Sequence, residues 1–180
     1  MTTRPDQLRI LIDGNIIDAL ATDSQTLKLL QSLRARGAVE VLITFVQVTE
    51  LNNTRGEDRR QQLLTTLAVL GPTKVATAGI WDCTNWDESK WVGEETKAQL
   101  DAVMGNKLRT LNKWADALIT TAAAENSAAV VSDNYKDVKK AADRFWKAGG
   151  AKLEVWNYAD LKQRLGEVGT NVGTECGYHS

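Results

Sequence analysis

The chain has 180 residues, 22 Lys+Arg against 23 Asp+Glu for a net charge of −1, and 43% hydrophobic residues. That length predicts one globular domain with a real core, with nothing to suggest a second, while the near-zero charge does not by itself announce a nucleic-acid partner. No run of about 18 apolar residues occurs and the first residues are polar, which argues against a membrane span or a secretion signal. The expectation is a cytoplasmic protein with Cys83 and Cys176 as free thiols and with no metal-ligand spacing to His179.

In chain order, five short apolar segments read as strands: 8–13, 39–44, 74–80, 128–132 and 152–156. A first helix, with Leu27, Leu30 and Leu33 on its apolar stripe, ends near Arg36-Gly37, a basic residue followed by a glycine stop. Helices over 46–53 and 59–70 follow, the second closed by Gly71-Pro72. Two more are expected over 95–104 and 108–125, where Leu111, Ala115, Leu118, Ile119 and Ala122 recur at helical spacing. The last pair, 136–147 and 158–165, brackets the fifth strand. Strands alternating with helices imply right-handed crossovers and a parallel sheet covered on both faces, a three-layer α/β/α sandwich occupying residues 1–165. Residues 166–180 hold four glycines and read as a flexible tail.

Acidic residues fall at one edge of such a sheet. Asp13 ends the run Leu8-Arg9-Ile10-Leu11-Ile12, and Asp133 ends Ala128-Ala129-Val130-Val131-Ser132. Open α/β sheets bind ligands at the carboxyl ends of their strands. Glu50 and Asp116 lie on helices leading from or to that edge. Carboxylates brought within ~4 Å of one another repel by roughly 4 kcal/mol per pair at an effective dielectric near 20, so a positive ion is expected among them. Oxygen ligands suit Mg²⁺ or Mn²⁺. Each acid also has a plainer use: Asp13 and Asp133 as caps of the helices that follow them, Glu50 as a solvated helix residue.

Taken together, Ile10-Leu11-Ile12-Asp13-Gly14-Asn15-Ile16-Ile17, Ile43-Thr44-Phe45-Val46-Gln47-Val48-Thr49-Glu50-Leu51, Asp116-Ala117-Leu118-Ile119-Thr120-Thr121-Ala122-Ala123-Ala124-Glu125 and Val130-Val131-Ser132-Asp133 resemble, in order and spacing, the motifs of the PIN-domain family, named for the PilT amino-terminal domain. The likeness covers residues 8 to about 158. Gly14 stands where many members carry a larger residue, and the stretch before Asp116 is longer than in compact VapC-type toxins. The resemblance implies a parallel five-stranded sheet in the order 3-2-1-4-5 and a metal-dependent endoribonuclease. By it Asp13, Glu50, Asp116 and Asp133 are the catalytic and metal-holding residues for Mg²⁺ or Mn²⁺, and RNA is the substrate. A toxin of a toxin-antitoxin pair is the subtype it suggests, with an antitoxin protein and a second copy of the chain as candidate partners and no membrane partner.

Around these acids, Asn15 and Ser132 are placed to hydrogen-bond and orient the carboxylates. Asp137 is a candidate fifth acid, with a favourable charge in a first helical turn as its plainer reading. Lys136, Lys140, Arg144 and Lys147 share about one helix face and are candidates for tracking a phosphate backbone, as are Arg55 and Arg59; ordinary solvation, or salt bridges to Glu57 and Asp58, would explain them equally. Trp81, Trp86 and Trp91 crowd one polar stretch and are read as pinning a long loop or filling an interface, and Trp114, Trp146 and Trp156 as packing. No glycine-rich dinucleotide turn, EF-hand loop or nucleophile elbow is present. The rival reading is a catalytically silent module of the same fold that binds a protein or RNA.

Overall fold

The computed structural model describes residues 7–78, 89–90, 94–104 and 111–175. The elements are β1 (Leu8–Ile12), α1 (Gly14–Thr22), α2 (Ser24–Ala35), β2 (Val39–Ile43), α3 (Phe45–Asn52), α4 (Glu57–Leu70), β3 (Thr73–Lys74), β4 (Thr77–Ala78), β5 (Ser89–Lys90), α5 (Glu94–Met104), α6 (Leu111–Glu125), β6 (Ala129–Val131), α7 (Tyr135–Lys147), β7 (Val155–Trp156) and α8 (Tyr158–Glu175). Five strands form one sheet in the order β3-β2-β1-β6-β7, every pair parallel. This is the expected order: the chain winds outward from β1 through β2 to β3, then returns to β6 beside β1. The winding reverses direction between β1 and β6, and in open α/β sheets the carboxyl ends at such a switch point are where a ligand crevice forms.

Alternation along β1 explains the layering. Ile10 and Ile12 face one core with Ile16, Ile17, Leu20, Leu30, Leu33, Leu63, Leu161 and Leu165, so α1, α2, α4 and α8 cover that side. Leu11 faces the other core with Leu100, Val103, Leu118, Ile119, Ala122, Val138 and Phe145 from α5, α6 and α7. A strand buried on both faces reads as a continuous apolar run because each successive side chain enters a different core. All three β1 residues are 0% exposed, and burying each such side chain contributes on the order of 1.5–3 kcal/mol.

Several expectations need correction. Between residues 13 and 39 the chain makes two helices, because Asp23 accepts from Thr26 N at 3.0 Å and caps a fresh start for α2. The third strand, expected over 74–80, is split. Val75 N donates to Ile43 O at 2.9 Å, closing the short β3 pairing at the sheet edge, after which Thr77–Ala78 pairs with Ser89–Lys90 in a separate two-stranded sheet; residues 79–80 lie outside the described residues. The fifth strand is shorter than 152–156 because β6 offers it only Val130 and Val131 as partners. Residues 166–175, expected as a loose tail, continue α8. Val168 packs on the core there and Gly169 faces Leu29, so tertiary packing offsets the roughly 1 kcal/mol by which each glycine disfavours a helix. Trp156 is buried as expected, but Trp146 is 51% exposed rather than packed. Trp81, Trp86 and Trp91, both cysteines and His179 lie outside the described residues. Among the described residues, no helix is long and apolar enough to cross a membrane.

Candidate active site

Asp13 is the first residue beyond β1. Its N–H donates to Val131 O at 2.9 Å, clamping β1 to β6 where the winding reverses. Its extended backbone, φ −82° and ψ 162°, makes it the cap of α1. Oδ1 accepts from Gly14 N at 2.7 Å; Oδ2 accepts from Ser132 Oγ at 2.6 Å and Asn15 Nδ2 at 3.1 Å. The capping role is thus realised at the strand end where the winding reverses.

Asn15 and Ser132 weave the two strand ends together. Asn15 Nδ2 also reaches Ser132 Oγ at 3.3 Å, while its Oδ1 accepts from Asp133 N at 3.1 Å. Ser132 is 0% exposed, and its Oγ accepts from Asn134 N at 3.0 Å as well as donating to Asp13. A buried hydroxyl saturated in this way has little rotational freedom, so the Asp13 carboxylate is held in one orientation.

Glu50 arrives from α3. That helix starts at a buried capping box in which Thr44 N donates to Gln47 Oε1 at 2.9 Å and Val46 N donates to Thr44 Oγ at 3.2 Å. The Thr44-x-x-Gln47 spacing is a readable start signal that the sequence analysis passed over. Glu50 stands one turn further on, and its Oε2 lies 3.2 Å from where a Cβ on Gly14 would be. Although Glu50 keeps part of its surface in solvent, desolvation, the Asp13 charge and the Asp116 charge together push its pKa up to about 7. Asp116, half-buried on α6, is raised to about 6 by desolvation, then by Asp13 and Asp137. Carboxylates from β1, α3 and α6 therefore share one field, with Asp13 the charge common to both shifts.

Asp133 is placed differently. It is exposed, and its Oδ1 accepts from Tyr158 N at 3.2 Å, anchoring the start of α8. It connects to Asp13 through Asn15 and Ser132. Asp137 lies in the first turn of α7, pairs with Lys140 at 3.2 Å and also raises Asp116. Both readings of Asp137 thus have a physical counterpart. Among the described residues, no group of three or more His, Cys, Asp or Glu side chains is arranged to hold a metal ion.

The cationic candidates divide. Arg55 and Lys136 are exposed and make no ion pair among the described residues. Arg59 is tied to Asp18 rather than to the Glu57 or Asp58 that the sequence suggested, and donates to Gln62 Oε1 at 2.7 Å; Arg60 takes Glu57. Lys140 is engaged by Asp137, and Arg144 donates to Val103 O at 3.2 Å. The α7 stripe is therefore interrupted, with Lys136 its free member nearest the crevice. Comparison of the chain with protein-family models and with curated proteins finds no match.

Proposed function

We propose that this protein is a PIN-like, divalent-metal-dependent endoribonuclease whose reaction centre is the Asp13, Glu50 and Asp116 edge, with Asp133 at its margin. The observation that carries the reading is the mutual field of these carboxylates: Glu50 and Asp116 are both raised, and Asp13 contributes to both. Like charges held together at a switch-point crevice, with no arginine or lysine paired to any of them among the described residues, leave a place for a cation.

The donor set fits a hard cation such as Mg²⁺ or Mn²⁺, since every donor is a carboxylate oxygen. Gly14 keeps open the space into which the Glu50 carboxylate leans. Asp13, Glu50 and Asp116 would hold the ion, Asp133 adding the carboxylate oxygen that Tyr158 N does not occupy. Such an ion, when bound, lowers the pKa of water and offsets charge on a phosphodiester. The chain's own groups do the rest: Ser132 and Asn15 fix Asp13, and Glu50, raised to about 7 in the metal-free protein, would give up that proton on taking the ion. Lys136 and Arg55, which make no ion pair among the described residues, are the cations placed to contact phosphates of an RNA strand. A toxin role, with an antitoxin partner, is the subtype the motif resemblance supports.

A catalytically silent module is the second reading. Two observations favour it: the engagement of Asp133 by Tyr158 N, and the lack of a ready group of three ligands among the described residues. Incubation of purified protein with single-stranded and structured RNA separates the two. The nuclease reading expects cleavage with Mn²⁺ or Mg²⁺ that is lost with chelator and in Asp13→Asn, and growth arrest on expression that disappears in Asp116→Ala. An intact substrate at every metal concentration, from protein that binds RNA, establishes the silent module instead.

A further inference from the structure

Tyr135, Lys139, Asp143 and Trp146 recur at four- and three-residue steps along α7 and so share one face of that helix. The face borders a cavity of about 240 Å³ whose other wall, around β7, includes Lys152, Glu154 and Trp156. Trp156 is buried, and its Nε1 donates to Glu154 Oε2 at 3.0 Å. Lys139 Nζ donates to Tyr135 Oη at 3.1 Å and lies 5.3 Å from the centre of that ring. From the other wall, Lys152 Nζ stands 5.6 Å from the ring centre of Trp146.

The sign of a ligand follows from these cations. Each ring in the lining already has one over it, Arg164 taking that role at Trp156, so a cationic ligand would meet like charge at every ring. An anionic group instead gains from Lys139 and Lys152. The shape follows from Trp146, which is still 51% exposed with Lys152 in place and offers the ring surface on which a planar group stacks. Asp143 is exposed in the same wall. A carboxylate accepts but does not donate, so the ligand must bring N–H or O–H groups of its own. A volume of about 240 Å³ falls below the roughly 300–1,000 Å³ that encloses drug-sized ligands, which limits the occupant to one ring system with its substituents. A planar ring bearing donors and joined to an anionic group describes a nucleoside phosphate.

We propose that the cavity between α7 and β7 is a nucleotide subsite, in which a base stacks on Trp146 and donates to Asp143 while Lys139 and Lys152 meet its phosphate. The same chemistry is offered by a free nucleotide and by an unpaired residue of an RNA strand. The cavity is placed to serve a strand: Tyr135 follows Asp133 closely in the chain, and Trp156 O accepts from Ser132 N at 2.9 Å, so one end adjoins the Asp13 edge. From residue 135 to residue 146 the helix rises ~16 Å, on the order of five nucleotides stacked at roughly 3.4 Å each. Binding here needs neither metal nor cleavage, so the subsite stands apart from the nuclease reading.

Titration of the metal-free full chain with 5′-AMP, adenosine, inorganic phosphate and a six-residue oligoadenylate tests this. Calorimetry gives the affinity, and fluorescence judged against Trp146→Tyr gives the place. Saturable binding of 5′-AMP or of the oligomer is expected, with adenosine weaker than 5′-AMP and no Trp146 response to inorganic phosphate. Trp146→Ala and Lys152→Ala should each weaken binding about tenfold or more, whereas Trp146→Tyr and Lys152→Arg should retain most of it. All four changes fall on exposed side chains and should leave the melting temperature near its native value. Equal affinity for 5′-AMP and the oligomer identifies a free nucleotide as the ligand; tighter binding of the oligomer identifies a strand. The subsite is overturned if neither ligand binds, if both alanine variants bind as the native protein does, or if inorganic phosphate alone gives the Trp146 response. RNA cleavage without this binding removes the subsite and keeps the nuclease reading, and binding by native protein that cleaves no RNA does the reverse.

Discussion

Glu50 Oε2 stands 3.2 Å from the position a Cβ on Gly14 would take, so the smallest residue in the chain lies under the carboxylate that α3 delivers to the end of β1. The position needs no special backbone, because Gly14 begins α1 without a positive φ. What the glycine supplies is clearance.

Gly14→Ala is therefore a steric probe of the crevice. A helical position gains up to about 1 kcal/mol from alanine, so the variant should melt no lower than the native protein. The added methyl should push the flexible Glu50 carboxylate outward, away from Asp13, and lower its pKa from about 7. Carboxyl titration by NMR reads the shift; an unmoved Glu50 would show that clearance is not what holds it there.

Asp13→Asn removes the charge that acts on both neighbours. Glu50 and Asp116 should each titrate lower than about 7 and about 6, with both retaining the share due to desolvation. If the two titrations are unchanged, the carboxylates do not sense one another, and the shared site is lost with them.

The pH dependence of stability carries a definite sign. Both acids have folded-state values raised above their ordinary 4.5 and 3.8, so the folded protein holds these protons more tightly than the unfolded chain. Their contribution is unfavourable above about pH 7 and is relieved as pH falls through about 7 and about 6 toward their unfolded values. Metal-free protein should thus gain melting temperature as pH falls from neutral through about 5, the relief being largely complete only near pH 4. Asp23 acts oppositely at lower pH: its carboxylate, bonded by Thr26 N and then Lys162, lies well below the usual range, so its contribution persists until strongly acid pH. Mn²⁺ should flatten the neutral-side slope, since a cation replaces the protons. Melting curves with and without chelator check both statements; a metal-free slope of opposite sign contradicts the placement of Glu50 and Asp116.

Ser132→Ala deletes the buried hydroxyl that donates to Asp13 at 2.6 Å and accepts from Asn134 N at 3.0 Å. Leaving those partners unmatched should cost about 1–3 kcal/mol, measured by denaturant unfolding. If activity is present, it should fall further than the stability loss explains, because Asp13 loses its orientation. A variant as stable as the native protein would mean that water replaces the hydroxyl at no cost.

Apolar runs and helical spacing were enough to read the parallel, doubly covered sheet from the residues, since a strand such as Leu8–Ile12 buried on both faces must be continuously apolar. The motif resemblance added the strand order and the expectation of a catalytic, metal-holding role for the four acids. Composition misled at 166–175, where glycines suggested a tail but α8 gains its stability from packing beyond the local chain. It also misled at Trp146, because an aromatic ring is packed only if something lies over it.

The sequence by itself determined the alternation of strands and helices, the cap at Asp13, and the presence of acids near strand ends, all of which depend on neighbours a few residues apart. Only the tertiary structure decided that Glu50 leans over Gly14, that Asp133 turns to Tyr158 N, and that Arg59 is spent on Asp18. Those outcomes depend on distances between residues far apart in the chain, and such distances are set by how the helices seat on the sheet.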